Sequence, residues 1–238
     1  MVAFEAKDTQ HQRFSSQPAN RFQSCFTTDI KQHAYWLDLL PAQPSLPDRP
    51  VKTVDVVIVG SGYTGLNAAL ETIRGGRSTL VLDAENPGCG CSTRNGGQIS
   101  TSIKPSLSDL TAKYGLKKAC AIRKEGENAL QWIETLIKRE KINCNFNRSG
   151  RYHAAHTPQH YEAIARDAEQ LNNKEGIEAY TIPKADQRKE LGSDVYFGGV
   201  VFPRHASVNP GLYHRGLLNR AIEAGVHITG NCYVSGLR

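Results

Sequence analysis

The 238-residue chain sets 29 Lys and Arg against 23 Asp and Glu, a formal charge of +6, with 39% hydrophobic and 22% charged residues. That apolar content is enough for a packed core and excludes a chain that is disordered throughout. The basic residues are scattered, with no Lys/Arg block, aromatic ladder or zinc-finger spacing, so the charge carries no footprint of nucleic-acid recognition.

Residues 1–19 are rich in Gln, Ser, Asp and Lys and lack periodicity, which predicts a mobile arm. No apolar stretch within residues 1–24 suits a signal peptide, and no run in the chain is long enough to span a bilayer. The expectation is a soluble cytoplasmic protein without a membrane partner. Residues 33–40 form a short apolar helical turn, and Pro41, Pro44, Pro47 and Pro50 then favour an extended linker. Residues 54–59 are a β-branched run broken only by Asp55 and ended by Gly60, which reads as a strand buried on both faces, as in a parallel sheet. Residues 63–74 follow with helical spacing at Leu66, Ala69, Leu70 and Ile73, stopped by Gly75-Gly76. Residues 78–83 are a second buried strand, which completes a β-α-β unit with parallel strands.

Beyond a Gly-dense loop at 86–98, residues 108–114 and 117–141 read as helices, with Trp132 on the apolar face of the second. A strand is expected at 150–155. Thr157-Pro158 opens a helix that runs to about 171, with Thr as N-cap and Pro in the first helical position. Strands are expected at 195–202, 226–228 and 231–237, with a helix from Asn209-Pro210 to Gly225 between the first two. The fold class is α/β, a Rossmann-like nucleotide domain with part of an inserted α+β domain. The expected division is 1–50 arm and linker, 51–144 nucleotide domain (first part), 145–205 partial substrate domain, and 206–238 nucleotide domain (second part).

Gly60-Ser61-Gly62-Tyr63-Thr64-Gly65 sits where a strand gives way to a helix, and Asp83 closes the following strand. This is the context that a dinucleotide fingerprint requires. Gly60 permits the tight turn, Gly62 lets backbone approach a pyrophosphate, and Gly65 lets helix and strand pack closely. The helix N-terminus offers free N–H groups to phosphate. Asp83, with Ala84 beside it, suits ribose hydroxyls, and its charge disfavours a 2′-phosphate. The fingerprint alone leaves NAD and FAD open.

The loop Gly90-Cys91-Ser92-Thr93-Arg94-Asn95-Gly96-Gly97-Gln98 narrows the choice. With it the chain resembles the FAD-dependent oxidoreductases that include D-amino-acid oxidase, glycine oxidase and monomeric sarcosine oxidase. The G-x-S-x-R-N-G-G form is similar to the gamma-glutamylputrescine oxidoreductase branch. The resemblance implies that this loop passes the pyrophosphate of FAD and reaches the flavin. Ser92 and Arg94 would contact phosphate, and the backbone of Asn95, Gly96, Gly97 and Gln98 would lie near the ring. It further implies that the segment beginning at Trp36 is an arm before the first strand and that Ser207-Val208-Asn209-Pro210-Gly211 marks the return to the FAD domain. Val234 falls where the family uses the backbone of a valine to hold adenine.

The implied reaction oxidises the C–N bond of a small-molecule amine or amino acid by hydride transfer to flavin N5. The products are an imine and, with molecular oxygen as oxidant, hydrogen peroxide. No catalytic residue is assigned; Arg94 and Gln98 are the candidates near the ring. Family members continue past residue 238, so the expectation is an incomplete N-terminal portion. The alternatives are an NAD-linked dehydrogenase and a non-catalytic nucleotide-binding remnant. His153 and His156 face opposite sides of a strand, so a metal shared with His160 is not expected. The six cysteines (25, 89, 91, 120, 144 and 232) include no C-x-x-C pair and read as reduced thiols.

Overall fold

The computed structural model describes the backbone of Phe4–Asp8, residues 27, 29 and 30, and residues 35–237. Most of the arm expected over 1–19 therefore lies outside the described residues, as does Cys25. Within that arm Phe4–Asp8 is a strand (β1), where an unstructured segment was expected. Its backbone pairs antiparallel with a strand at Cys232–Leu237 (β10), which supplies the ladder that composition alone does not indicate. The chain forms two compact units. One comprises residues 1–96, 142–144 and 209–238; the other comprises 97–141 and 145–208. Residues 97–141 thus group with 145–208, whereas the sequence boundary placed them with the nucleotide domain.

The first unit is built on a parallel sheet of three strands, Val56–Val59 (β2), Thr79–Leu82 (β3) and His227–Thr229 (β9), with β3 in the middle. Val56 pairs with Thr79 and Val59 with Leu82, and Leu80 pairs with His227. Helix α1 (Tyr63–Arg74) makes the crossover from β2 to β3 and buries Leu66, Ala69 and Leu70. Every residue of β3 is buried. On the sheet face away from α1, Leu80 and Leu82 pack with Cys232 of β10, and Val51, Val54 and Val234 surround them.

The expectation that β2 is buried on both faces does not hold. Its burial alternates, and Val57 is 37% and Val59 63% exposed. β2 is an edge strand, and the packing that covers Leu80 and Leu82 does not extend over the valines beside them. Asp55, the polar interruption before β2, has a structural task. Its carboxylate accepts the Ser78 N–H at 2.8 Å and the Ser78 hydroxyl at 2.7 Å, while its own N–H reaches the Ser78 hydroxyl oxygen at 2.8 Å. These bonds align the starts of β2 and β3, and the Ser78 donors hold the Asp55 carboxyl below its usual range.

The second unit contains two helices, α2 (Leu107–Tyr114) and α3 (Leu116–Arg139), and an antiparallel sheet. α2 starts with a capping box, the Ser106 hydroxyl accepting the Asp109 N–H and the Asp109 carboxylate accepting from the Ser106 backbone. α3 buries Ala119, Gly126, Leu130, Leu136 and Ile137. A Cβ at Gly126 would lie 2.2 Å from the Thr101 carbonyl oxygen, so glycine lets the chain at 101 lie against the helix. Trp132, expected in the core, is 47% exposed. It stands two residues beyond Leu130, about 200° around the helix, and so outside the buried stripe.

The sheet comprises Arg151–Ala154 (β5), Gly198–Phe202 (β7) and Tyr180–Pro183 (β6), with β7 central. Helix α4 (Pro158–Gln170) is capped by the Thr157 hydroxyl, which accepts the His160 N–H at 3.1 Å. A two-residue strand at Gln98–Ile99 (β4) pairs antiparallel with Ala206–Ser207 (β8).

Candidate functional site

The residues of the glycine turn meet in the first unit, where β2 ends and α1 begins. Each glycine answers a separate steric demand. Gly60 adopts φ +95°, a left-handed conformation that side chains disfavour. A Cβ at Gly65 would stand 2.0 Å from the Gly60 carbonyl oxygen and 3.4 Å from the Ile58 side chain. A Cβ at Gly62 would meet the Ser92 hydroxyl at 3.0 Å. Gly62 is also the N-cap of α1 and offers no side chain to cap it. The Ser92 hydroxyl takes that part, accepting the Tyr63 N–H at 3.1 Å. The other N–H groups of the first turn have no partner within the helix and, with the helix dipole, favour an anion.

Asp83 follows β3 and ties this turn from the other side. One carboxylate oxygen accepts both the Ser61 N–H, at 2.7 Å, and the Ser61 hydroxyl, at 2.5 Å. The second oxygen accepts the Glu85 N–H at 3.1 Å. Asp83 is half-buried and Ala84 exposed, so the carboxylate keeps a face to solvent while its interior lone pairs brace the turn.

The loop after β3 folds back on itself. The Thr93 hydroxyl, buried, donates to the Gly88 carbonyl, and the Asn95 side-chain amide donates to the Cys91 and Ser92 carbonyls at 3.1 Å. Cys91–Thr93 is a single 3-10 turn. Arg94, Asn95 and Gly96 are exposed at its end. Gly97 and Gln98 belong to the second unit: Gly97 has φ +70° and its carbonyl accepts the Val208 N–H at 2.8 Å, and Gln98 begins β4. Burial pushes the Cys89 thiol up, so it stays protonated near neutrality. Val234 lies on β10, paired with Ala6 of β1 and half-buried against the Leu80–Leu82 cluster.

The structure adds His214 and Arg215, which the motifs do not mark, and shows how they and the helix that carries them support the turn and the proline linker. Helix α5 (Pro210–Glu223) is capped by Asn209, whose side-chain oxygen accepts the Leu212 N–H at 3.0 Å. Its first turns meet the glycine turn at Ser61 and Tyr63 and the loop after β3 at Gly88. The Tyr63 hydroxyl donates to the Pro210 carbonyl at 3.0 Å, and burial pushes the Tyr63 phenol up to about 12, so it remains a neutral donor. His214 is 1% exposed, with Nε2 2.8 Å from the Ser61 carbonyl oxygen. Arg215 donates to the Pro41 and Ala42 carbonyls at 2.8 Å, which fastens the proline linker. Trp36, on the 3-10 turn Tyr35–Leu39, donates its indole N–H to the Asn95 carbonyl at 2.8 Å. Its Cβ would clash with any side chain at Gly211, so that glycine seats it. The burial of His214 was readable, because it shares the helical spacing of Leu217, Leu218 and Ala221; its bond to Ser61 was not.

The chain belongs to the family of FAD dependent oxidoreductases, whose sequence pattern it matches over residues 55–238. Among curated relatives, gamma-glutamylputrescine oxidoreductase of Escherichia coli is 32% identical over 161 residues, which cover 66% of this chain and 37% of that protein. The oxidoreductase OrdL of Haemophilus influenzae is 26% identical over 182 residues, 76% of this chain and 42% of that protein. Among solved structures, glycine oxidase from Geobacillus kaustophilus aligns with a TM-score of 0.60 at 18% identity, covering 75% of this chain and 46% of its own. L-amino acid deaminase from Proteus vulgaris aligns with a TM-score of 0.64 at 16% identity, covering 82% and 44%. The structural likenesses establish the fold. The chain spans about two fifths of the length of the curated relatives it matches.

The residues present fit the family's cofactor, FAD. A left-handed glycine, a cap position without a side chain, a helix N-terminus and an acid at the end of β3 lie together in one unit. Among the described residues no cluster of His, Cys, Asp or Glu side chains could hold a metal ion, and no helix is long and apolar enough to cross a membrane.

Proposed function

We propose that this chain holds the ADP half of FAD in an oxidoreductase that acts on the C–N bond of an amine or amino acid. The observation that carries the reading is the braced Gly60–Gly65 turn, with the start of α1 above it and Asp83 beside it. The N–H groups of Gly62 and of the first turn of α1 would meet the pyrophosphate, with Ser92 and Arg94 beside them. The Asp83 carboxylate would accept from the ribose hydroxyls through its solvent side while keeping Ser61. Tyr63, Thr64 and Gly65 supply the helix start, Asn95 to Gln98 the backbone toward the flavin, and the Val234 backbone the adenine contact. When bound, FAD supplies the hydride acceptor that amine oxidation requires. The chain's own groups bind, orient and shape the approach to it; none of them is assigned as acid or base.

The substrate class rests on the relatives. Gamma-glutamylputrescine oxidoreductase is 32% identical over the shared region, and glycine oxidase and L-amino acid deaminase share the fold. An amine resembling gamma-glutamylputrescine, with molecular oxygen as oxidant and a cytoplasmic setting, is part of this proposal. Titration of the 238-residue chain with FAD, ADP and NAD tests the cofactor reading: saturable binding of FAD and ADP, with FAD bound more tightly than NAD, supports it, and preference for NAD overturns it. Amine-dependent peroxide formation by a chain as long as the relatives tests the reaction; dehydrogenation without peroxide would replace oxygen with another acceptor.

A further inference from the structure

His214 is a buried titratable group that the proposed function leaves unused. His214 lies on α5, 149 residues beyond Gly65, yet its ring lies between Ser61 of the glycine turn and Gly88 of the loop after β3. Nε2 stands 2.8 Å from the Ser61 carbonyl oxygen. On its other side, a Cβ at Gly88 would come within 3.1 Å of Nδ1 and Cε1, so the ring packs closely against that glycine. A carbonyl oxygen only accepts, so the proton of the neutral ring sits on Nε2. Burial lowers the His214 pKa, which keeps the ring neutral near pH 7.

Ser61 is thereby held through all of its polar groups. Its N–H and hydroxyl go to Asp83 and its carbonyl to His214. The peptide between Ser61 and Gly62 is planar and trans, so its C=O and N–H point in opposite directions. With the carbonyl drawn inward by His214, the Gly62 N–H must point outward, to the side where the helix start receives an anion.

We propose that His214 is a positioning residue that fixes this peptide plane and so aims the Gly62 N–H at the cofactor pyrophosphate. The proposal rests on the FAD reading above and adds to it a residue outside the fingerprint. Glycine at 62 removes the side chain that would otherwise restrict rotation of the plane, so a separate restraint is needed, and the only polar group placed against the Ser61 carbonyl among the described residues is the His214 ring.

The test compares ADP with adenosine, which lacks the phosphates. Calorimetric titration of the 238-residue chain should give a large affinity ratio for ADP over adenosine. His214→Leu should cut that ratio about tenfold while adenosine binds nearly as before. His214→Gln, whose side-chain amide reaches a similar position, should restore most of it. Arg215→Met, on the same helix but directed at the Pro41 and Ala42 carbonyls, should lower the unfolding temperature and leave the ratio unchanged. Equal weakening of ADP and adenosine in His214→Leu, or failure of His214→Gln to recover the ratio, would make the residue merely structural and overturn the inference. If the leucine variant does not fold, the glutamine variant and the arginine control decide the matter. Absence of ADP binding by the unaltered chain would instead overturn the FAD reading itself.

Discussion

At the scale of single residues, three glycines of one motif are required for three different reasons, and substitution separates them. Gly65→Ala places a methyl 2.0 Å from a backbone oxygen and should cost about 3 kcal/mol of stability. Gly60→Ala has open space but the wrong φ and should cost about 1–2 kcal/mol. Gly62→Ala meets only the movable Ser92 hydroxyl, so its stability should change least and its loss should appear in ADP affinity. Urea unfolding and ADP titration of the three variants check this order; equal stability losses would contradict it. His205 provides a second residue-scale expectation. It is 2% exposed, its Nε2 lies 3.3 Å from the Thr101 N–H, and its Nδ1 has no partner among the described residues. Burial lowers its pKa to about 4. The unfolded chain, titrating near 6.5, then binds the extra proton first, so stability is intact above about pH 6.5 and falls as pH drops toward 4. The loss should reach about 3 kcal/mol at most, and His205→Gln should flatten the slope between pH 4 and 6.5 measured by denaturant unfolding.

At the scale of elements, helix starts were the most readable features. Thr157-Pro158 and Asn209-Pro210 each combine a polar N-cap with a proline that needs no N–H donor, and both open helices where expected. Asn209→Ala should cost about 1 kcal/mol, visible as a lower unfolding midpoint, because α5 buries eight residues behind that cap. Strand existence was equally legible for β2, β3, β7, β9 and β10, but burial of β2 was not. An apolar β-branched run announces a strand, while its cover depends on which partners arrive from distant sequence. β6, β4 and β8 escaped reading because Tyr180–Pro183 is short and mostly exposed and the other two are two residues long. The glycine turn could be read because its demands are local. The supports from Trp36 and His214 could not, because each acts across more than fifty residues of sequence through a contact set by packing.

At the scale of the whole molecule, the first unit is assembled from three separate stretches of chain, and the sheet that carries the turn is completed only when β9 arrives. Its outer strand β2 presents Val57 and Val59 to solvent along an edge with no paired strand among the described residues. Such an edge promotes association between copies. Concentration-dependent light scattering of the 238-residue chain should therefore rise steeply, and Val59→Lys should suppress it; an unchanged profile would show that the edge is not the cause. The braced turn has a kinetic consequence. Asp83 and Ser92 already hold the turn through bonds made within the protein, so its ordering is completed during folding and leaves little to be done when a nucleotide arrives. Uptake of ADP should then follow one fast exponential whose rate rises linearly with nucleotide concentration, without the plateau that a slow ordering step would impose.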